Sequence, residues 1–269
     1  MAVSVCVAGA TGWVGRPVAE AVLAAEDLAL RTAVARSAAG RDLGEAWGGE
    51  RIGVPVFGRV AGDGLADVDV LVDFTSHEAV RGNALAAIEQ GVGVVIGSSG
   101  LTTVDFADID AAARAAGVGV VAAGNFSFTA AMALAAAVLA ARHLSSWEII
   151  DYASAGKPDA PSGTARELAE RLAAVAAPVL AVPVERTGGQ VEARGATVAG
   201  TQVHSVRLPS FVVSTEIVFA QPDERLVIRH DAGATPTPYL AGALLAIRAV
   251  PGRTGLTRGL DRLLLDTAR

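Results

Sequence analysis

Lys157 stands out among the residues that could do chemistry, because it is the only lysine in the chain. The sequence has 269 residues, and 21 of its 22 basic residues are arginine. Arginine therefore serves wherever this chain needs a general solvated cation, and Lys157 is a candidate for chemistry that a guanidinium cannot do. The alternative is a surface lysine that occurs there by chance.

A second chemical signal is the glycine-rich segment that follows the first predicted strand and opens the first predicted helix. Its spacing, G-x-x-G-x-x-G, is close to the dinucleotide-binding pattern G-x-G-x-x-G. Glycines allow a tight turn there, and the N–H groups of the helix N-terminus favour a pyrophosphate. The segment predicts a dinucleotide site, with a purely structural turn as the alternative. The candidate residues are Gly9, Thr11, Gly12, Trp13, Val14 and Gly15.

The end of the second predicted strand bears on the choice of coenzyme. NAD-binding sites of this type usually place an acidic residue there, to bind the ribose hydroxyls. This chain has Arg36 and Ser37 instead, which suit a 2′-phosphate. The sequence therefore favours NADPH, with NADH as the alternative. Arg16 is either a second cation for this site or an exposed helix residue.

Composition excludes several classes of protein. The chain is 52% hydrophobic with a formal net charge of −6, which excludes disorder and disfavours a nucleic-acid partner. The single cysteine, Cys6, can form no intramolecular disulfide, and we expect a cytoplasmic protein without a membrane span. One cysteine and four scattered histidines show no metal-ligand spacing, and no G-x-S-x-G motif supports acyl transfer.

Up to about residue 125, short apolar runs alternate with helical segments, a pattern typical of a parallel sheet. Thr75 and Glu78 have the spacing of a capping box and predict a helix start directly after the third strand. The predicted strands are 3–8, 28–35, 68–74, 92–96 and 118–122, and the predicted helices are 14–25, 77–90 and 104–116.

The later part of the chain has a different character, rich in strands between about residues 190 and 231. It predicts a second α+β domain with a mixed or antiparallel sheet. We expect a dinucleotide-binding domain of residues 1–126 plus 237–269, and a substrate-binding and oligomerisation domain of residues 127–236. The predicted helices are 127–143, 162–177, 239–249 and 256–265, and the predicted strands are 147–152, 201–208, 212–219 and 225–230.

Seven segments, in order along nearly the whole chain, resemble the 4-hydroxy-tetrahydrodipicolinate reductase family, also called dihydrodipicolinate reductase. The segment from Lys157 to Thr164, Lys-Pro-Asp-Ala-Pro-Ser-Gly-Thr, is the most specific of them. The others are the glycine loop, Asp73-Phe-Thr75, Gly97-Ser-Ser-Gly100, Asn125-Phe-Ser127, His204-Ser-Val-Arg-Leu-Pro209 and Ile228-Arg-His-Asp231.

The resemblance implies an NAD(P)H-dependent reductase with a Rossmann-like domain, a middle domain that holds the substrate, and a homotetramer. The family reduces a cyclic imine or enamine with two carboxylates. By analogy, the carboxylate-binding residues are Ser154, Lys157, Ser162, Gly163 and Thr164. The residues of the nicotinamide crevice are Phe74, Thr75, Gly97, Ser98, Ser99, Asn125, Phe126 and Ser127.

The chain departs from the family where a histidine pair is expected, since these positions hold Ala153 and Ser154. The first histidine of the pair is taken as the family's proton donor, and neither alanine nor serine can replace it near neutral pH. The alternative donors are His77, Tyr152 and Lys157. His204 and His230 are expected to hold sheet or loop structure, and His143 to cap a helix.

The strand end His230-Asp231 also lacks the arginine that follows it in the family. Together, the two departures lead to three hypotheses. The first is a family-type reductase whose substrate has shifted to a related ring that keeps at least one carboxylate. The alternatives are the genuine 4-hydroxy-tetrahydrodipicolinate reductase and a nucleotide-binding homologue without catalysis.

Overall fold

A computed structural model describes residues 2–266 of the chain. The chain divides into two compact units. The first comprises Met1–Phe128 and Pro236–Arg269, and the second comprises Thr129–Thr235.

The first unit is built on a parallel sheet that has seven strands within residues 2–266, in the order β12-β6-β5-β4-β1-β2-β3. The predicted Rossmann-like sheet is thereby confirmed. The strands are buried valine-rich runs because helices cover both faces. The strands are β1 (Val3–Ala8), β2 (Leu28–Val34), β3 (Val56–Phe57), β4 (Val70–Asp73), β5 (Gly93–Ile96), β6 (Gly119–Ala122) and β12 (Gly255–Arg258).

The helices of this unit connect the strands and include two from the C-terminal part of the chain. The cluster of Ile88, Ile109 and Leu71 shows how the third and fourth helices pack on the central strands. The helices are α1 (Gly15–Ala24), α2 (Leu43–Ala46), α3 (Val80–Glu89), α4 (Thr103–Ala116), α7 (Thr237–Ala249) and α8 (Leu260–Asp266).

One predicted helix, 256–265, is wrong in its first half. Gly255–Arg258 is strand β12, which pairs in parallel with Gly119–Ala122 at the sheet edge. Gly255 and Gly259, both with positive φ, bracket these residues, so the helix begins only at α8. Helix-like periodicity in four residues cannot be distinguished from a buried edge strand.

The predicted capping box at Thr75 and Glu78 is also wrong. Helix α3 begins at Val80 without a side-chain cap, and the Thr75 hydroxyl donates instead to the buried carboxylate of Asp73. A capping box does form at the start of α4, between Thr102 and Asp105.

The second unit contains a mixed sheet in the order β11-β10-β7-β9-β8, in which β7 and β9 are parallel and the other pairs antiparallel. This confirms the predicted mixed sheet, although the sequence analysis missed β8. The elements are α5 (Phe128–Ala140), β7 (Ser146–Ala153), α6 (Gly163–Ala173), β8 (Ala196–Val198), β9 (Thr201–Arg207), β10 (Val213–Gln221) and β11 (Glu224–Asp231).

Strand β7 alternates strictly, with every second residue buried. Trp147 and Ile149 point into a core formed with Leu168 and Leu172 of α6 and with Phe219 of β10. The intervening residues of β7 lie on the opposite face of the sheet. This alternation decides which side chains can share a site. No helix within residues 2–266 has the length and apolar character needed to span a membrane.

Candidate cofactor and substrate sites

The glycine loop forms a tight turn between β1 and α1. Gly9 has φ +82°, and a Cβ there would strike the carbonyl oxygen of Phe74. A Cβ on Gly15 would strike the Gly9 carbonyl, so α1 begins as close to the turn as backbone allows. Val14 provides no side-chain cap, and the first turn of α1 has no acidic residue. The helix N-terminus is thus open to an anion, and the loop fits a pyrophosphate.

Beside this turn lies a cavity of about 500 Å³ within the first unit. Loops at the carboxyl ends of β1, β2, β3 and β4 line it, where parallel α/β sheets bind ligands. Of the predicted cofactor residues, seven are brought together here: Gly9, Thr11, Gly12, Arg36, Ser37, Phe74 and Thr75. Trp13, Val14 and Gly15 are not among the lining residues, and Trp13 contacts Tyr239 edge-on, with 6.3 Å between ring centroids.

The sequence analysis missed Arg59 as a lining residue of this cavity. β2 and β3 are parallel neighbours, with Val34 opposite Phe57, and each is followed two residues later by an arginine. Arg36 and Arg59 are therefore brought to the same edge of the sheet. The sequence did not predict the position of Arg59, because β3 has only two residues and was too short to be recognised as a strand. Asp and Glu are absent from the described residues that line the cavity.

A second missed residue is Asp73, which is fully buried at the end of β4. One carboxylate oxygen accepts hydrogen bonds from the Thr75 N–H at 3.0 Å, the Thr75 hydroxyl at 2.7 Å and the Ser98 hydroxyl at 2.6 Å. The other accepts one from the Asn83 amide at 2.8 Å. Asp73 thus joins the loops after β4 and β5. The sequence feature that could have identified Asp73 is its position as an acidic residue at the end of a buried strand.

The predicted nicotinamide residues after β5 and β6 pack around Phe74. A Cβ on Gly97 would enter the Phe74 ring, and Phe126 meets that ring edge-on at 5.8 Å between centroids. The Ser127 N–H donates to the Asn125 side chain at 2.9 Å, which shapes the loop after β6. Ser99 is exposed in the loop after β5. Gly97 and Phe126 thus pack against the Phe74 ring, while neither is among the lining residues of the cavity.

In the second unit, Lys157 lies in the loop between β7 and α6. Its ammonium is 2.7 Å from a carboxylate oxygen of Asp159, and the Lys157 N–H donates to the Ser154 carbonyl at 3.0 Å. Burial raises the pKa of Asp159, but the hydrogen bond and charge of Lys157 outweigh it, so this pKa lies below its ordinary value. The only lysine therefore already holds one carboxylate.

The end of this loop caps α6. The Ser162 hydroxyl accepts a hydrogen bond from the Ala165 N–H at 3.2 Å, and the first turn, which includes Gly163 and Thr164, has no acidic residue. A helix N-terminus without acidic residues in its first turn and an ammonium on the same short loop can together bind a carboxylate.

Tyr152 lies on the face of β7 opposite to Asp151, whereas Ala153 lies on the same buried face as Asp151. The Tyr152 ring stacks on Phe211 at 4.9 Å, and the Arg229 guanidinium lies 5.2 Å from its centroid. This is the sheet face opposite to Asp151, whose carboxylate accepts the Ser162 N–H at 2.9 Å. The Ala153 side chain is fully buried. The structure thus separates Tyr152 from the carboxylate that holds the start of α6.

The histidines differ in their surroundings. His77, in the first unit, is 71% exposed, and its ring is 3.7 Å from Glu78. His204 contacts Glu148 at 2.7 Å, and His230 contacts the Thr129 hydroxyl at 3.1 Å. Burial lowers the pKa of His230, while Asp231 partly opposes this shift. Throughout residues 2–266, groups of three or more His, Cys, Asp or Glu side chains suited to a metal ion are absent.

The Rossmann-like sheet and its glycine turn are typical of dinucleotide-binding proteins, and here they are followed in the chain by a mixed-sheet unit. Two family profiles cover the chain: dihydrodipicolinate reductase, N-terminus, matches residues 3–126, and dihydrodipicolinate reductase, C-terminus, matches residues 124–264. The chain therefore belongs to the dihydrodipicolinate reductase family and is an NAD(P)H-dependent oxidoreductase.

Relatives of known name agree with this family over the full chain. The 4-hydroxy-tetrahydrodipicolinate reductases of Moorella thermoacetica and Synechococcus elongatus are 40% and 37% identical, each over 97% of this chain and 98% of the relative. The dipicolinate-bound dihydrodipicolinate reductase of Paenisporosarcina sp. TG-14 superposes with a TM-score of 0.76 at 27% identity, covering 97% of this chain and 99% of that one.

These comparisons correct the order of the three hypotheses. Ala153 and Ser154, which replace the histidine pair, had favoured a shifted substrate. Both relatives carry the name of the housekeeping reductase at full coverage, so the findings favour the genuine reductase over a shifted ring.

Proposed function

We propose that this chain is a 4-hydroxy-tetrahydrodipicolinate reductase of lysine and diaminopimelate biosynthesis that uses NADPH. It adds a hydride and a proton to a cyclic imine or enamine that carries two carboxylates. The observation that carries the proposal is the loop from Lys157 to Thr164, which combines an ammonium with a helix N-terminus that has no acidic residue in its first turn, in a chain 40% identical to a relative of that name.

The substrate carboxylate is bound by the second unit. Lys157 supplies the charge, and the start of α6 at Ser162, Gly163 and Thr164, whose first turn has no acidic residue, supplies a favourable helix dipole. Ser154 lies at the other end of the loop, where its carbonyl accepts the Lys157 N–H. Since Asp159 already contacts the ammonium, a bound carboxylate has to share Lys157 with it.

The coenzyme is bound by the first unit. When bound, NADPH supplies the hydride. The turn from Gly9 to Gly15 receives the pyrophosphate, and the wall formed by Phe74, Thr75 and Gly97 with Asn125, Phe126 and Ser127 orients the nicotinamide ring. Ser98 and Ser99 lie in the loop beside that wall, and Asp73 holds Ser98 in place.

NADPH is preferred over NADH because the ribose end of the cavity has cations and lacks carboxylates among its described lining residues. Arg36, Ser37 and Arg59 face this end from neighbouring loops, and neither arginine makes an ion pair with a described residue. A 2′-phosphate therefore gains charge-assisted hydrogen bonds here. The 2′-hydroxyl of NADH, in contrast, would have no carboxylate among these lining residues to accept its hydrogen bond.

The proton comes from Lys157 or from water, because Ala153 has no acidic group and is buried. General acid catalysis contributes about 10²–10⁴-fold, so the chain can turn over without the histidine pair, at a reduced rate. His77 remains a predicted donor of the first unit. Tyr152 is not proposed, since it lies on the other face of its strand from Asp151, which holds the start of α6.

We also infer that copies of this chain assemble, as a homotetramer, through the open face of the second unit's sheet. That face carries Ile150, Tyr152 and Val218 around a cavity of about 930 Å³, and Leu226 and Val227 are exposed on the edge strand β11. Exposed apolar surface of this kind marks an interaction site. Analytical ultracentrifugation of the purified chain tests this: sedimentation as a monomer at micromolar concentration would reject it.

The function itself is tested by following NADPH oxidation at 340 nm with 4-hydroxy-tetrahydrodipicolinate produced in the cuvette. We expect turnover that requires both the substrate and Lys157. Absence of turnover together with tight binding of NADPH would reject this substrate while retaining the cofactor assignment.

A further inference from the structure

A buried ion pair lies behind the carboxylate-binding loop. Asp151 on β7 is fully buried, and its carboxylate is 2.8 Å from the guanidinium of Arg207 on the neighbouring strand β9, whose side chain is only 16% exposed. The two strands are parallel, and Asp151 is opposite Ser205. The Ser205 hydroxyl donates to the same carboxylate oxygen at 3.2 Å.

The pair holds both ends of the segment that joins Asp159 to the start of α6. At one end, the Arg207 guanidinium donates to the carbonyl of Asp159 at 2.8 Å. At the other end, the Asp151 carboxylate accepts the Ser162 N–H at 2.9 Å. The residue that contacts the Lys157 ammonium and the residue that caps α6 are therefore anchored to one ion pair.

The arrangement is poorly suited to a role in stability alone. Burying two charges costs several kcal/mol per ion, and a well-packed apolar pair of similar volume is often as stable. One carboxylate oxygen of Asp151 and the Nε of Arg207 are also buried without a hydrogen-bond partner among residues 2–266. What the pair provides beyond stability is a set of directed hydrogen bonds to a loop.

We propose that Arg207, acting through Asp151, is a positioning residue that fixes the Lys157 ammonium and the N-terminus of α6 at the separation a substrate carboxylate requires. This inference rests on the proposed function for its choice of ligand. Arg207 need not touch the substrate. Its two terminal nitrogens are the essential feature, because Nη2 donates to the Asp151 carboxylate and the Asp159 carbonyl while Nη1 donates to the Asp151 and Val206 carbonyls, a set that one ammonium nitrogen cannot reproduce.

The test uses the full chain and three variants: Arg207→Gln, Arg207→Lys and the double variant Asp151→Leu with Arg207→Met. Dipicolinate and NADPH binding are measured by calorimetry. In Arg207→Gln the buried ion pair with Asp151 that positions the loop is lost. We therefore expect dipicolinate affinity to fall at least about tenfold. The affinity for NADPH should not change. Arg207→Lys should recover part of the loss.

The double variant separates positioning from stability. It removes both buried charges, so we expect its thermal unfolding to approach that of the wild type while dipicolinate affinity stays low. Recovery of wild-type dipicolinate affinity in the double variant, or an unaffected Arg207→Gln, would overturn the proposal. Arg194→Gln is the matched control, since Arg194 pairs with Glu148 in the same unit at 2.7 Å without a contact to this loop.

Hydrogen exchange of the peptide covering residues 157–165 tests the same idea without a ligand. The Ser162 N–H should exchange faster in Arg207→Gln than in the wild type, and unchanged exchange would overturn the proposal. A wild-type chain that binds no dipicolinate would count against the proposed function, and the exchange measurement would still decide the role of Arg207.

Discussion

The Lys157 ammonium already has a counterion, because a carboxylate oxygen of Asp159 lies 2.7 Å from it. Any carboxylate that binds to Lys157 would therefore compete with Asp159. The Ser162 N–H at the start of α6 likewise already donates to the Asp151 carboxylate at 2.9 Å, although the first turn of α6 itself lacks acidic residues. At the scale of single residues, the loop therefore holds a cation and a helix start that each already contact one carboxylate.

Lys157→Ala should weaken dipicolinate binding by about 1.5–3 kcal/mol, the value of a hydrogen bond to a charged group. The substitution also leaves the Asp159 carboxylate without its cation. We therefore expect the loss of dipicolinate binding free energy to lie at the upper end of this range. Calorimetry measures the effect, and NADPH affinity should not change. A Lys157→Ala chain that binds dipicolinate as tightly as the wild type would remove the carboxylate site.

Arg59→Ala should weaken NADPH much more than NADH, by at least about tenfold, because a charge-assisted hydrogen bond to the 2′-phosphate is lost. Arg36→Ala should behave in the same way. Arg31→Ala is the matched control, since Arg31 is exposed on β2 and does not line the cavity. Equal losses for both coenzymes would reject the assignment of Arg59.

Ser154→His should increase turnover at least about tenfold, because it restores an imidazole at the partly exposed position of the missing pair. The buried Ala153 offers no space for a ring. Stopped-flow reduction with saturating NADPH measures the step, and Ser154→Gln controls for size. Equal rates in the histidine and glutamine variants would show that an imidazole at residue 154 does not act as the acid.

At the scale of elements, the turn between β1 and α1 is set by atoms that leave no room for a side chain. Gly9 and Gly15 show this directly, because a Cβ on either would strike backbone atoms, whereas a Cβ on Gly12 would make only a tight contact, 3.1 Å from the Gly9 carbonyl oxygen. A backbone this closely packed lets a pyrophosphate reach the N-terminus of α1.

Gly12→Val should abolish NADPH binding in calorimetry while the far-UV circular dichroism stays unchanged, because the added side chain occupies the path of the pyrophosphate. Gly82→Ala is a matched control, since Gly82 is exposed in α3 with open space around its Cα. That change should leave binding intact and stabilise the chain by roughly 0.5–1 kcal/mol. Retained NADPH affinity in Gly12→Val would contradict the cofactor site.

The elements also show how far a sequence can be interpreted. Long buried strands and the glycine turn were predictable, because hydrophobic periodicity and spacing are local signals. β12 and β3 were not, since four-residue and two-residue strands gain their identity from the partner at the sheet edge. Arg59 was missed for the same reason. Arg207 was visible in a family segment, but its contact with Asp151 depends on the register of β7 and β9.

At the scale of the whole molecule, stability should depend on pH through His230. Burial lowers its pKa in the folded chain below the ordinary value of 6.5. As pH falls below about 6.5, the unfolded chain binds a proton that the folded chain resists, so the free energy of unfolding decreases. Above that pH, His230 binds no proton in either the folded or the unfolded chain, so it no longer changes the free energy of unfolding.

Urea unfolding between pH 7.5 and 5.5 measures this dependence. The decrease in unfolding free energy with falling pH should be smaller in His230→Gln than in the wild type. His143→Gln, at an exposed position beyond α5, should keep the wild-type slope. Equal slopes in all three proteins would show that His230 does not contribute.

The return of the chain to β12 has a consequence for how the protein is made. The ribosome completes the whole second unit before it releases β12, α7 and α8, so the cofactor-binding sheet waits with the β6 edge of Gly119–Ala122 unpaired. An unpaired edge of four buried residues is a site for aggregation. During synthesis, the first unit therefore completes its sheet only after the whole second unit has been made. A fragment that stops at residue 128 lacks β12, and we expect it in inclusion bodies.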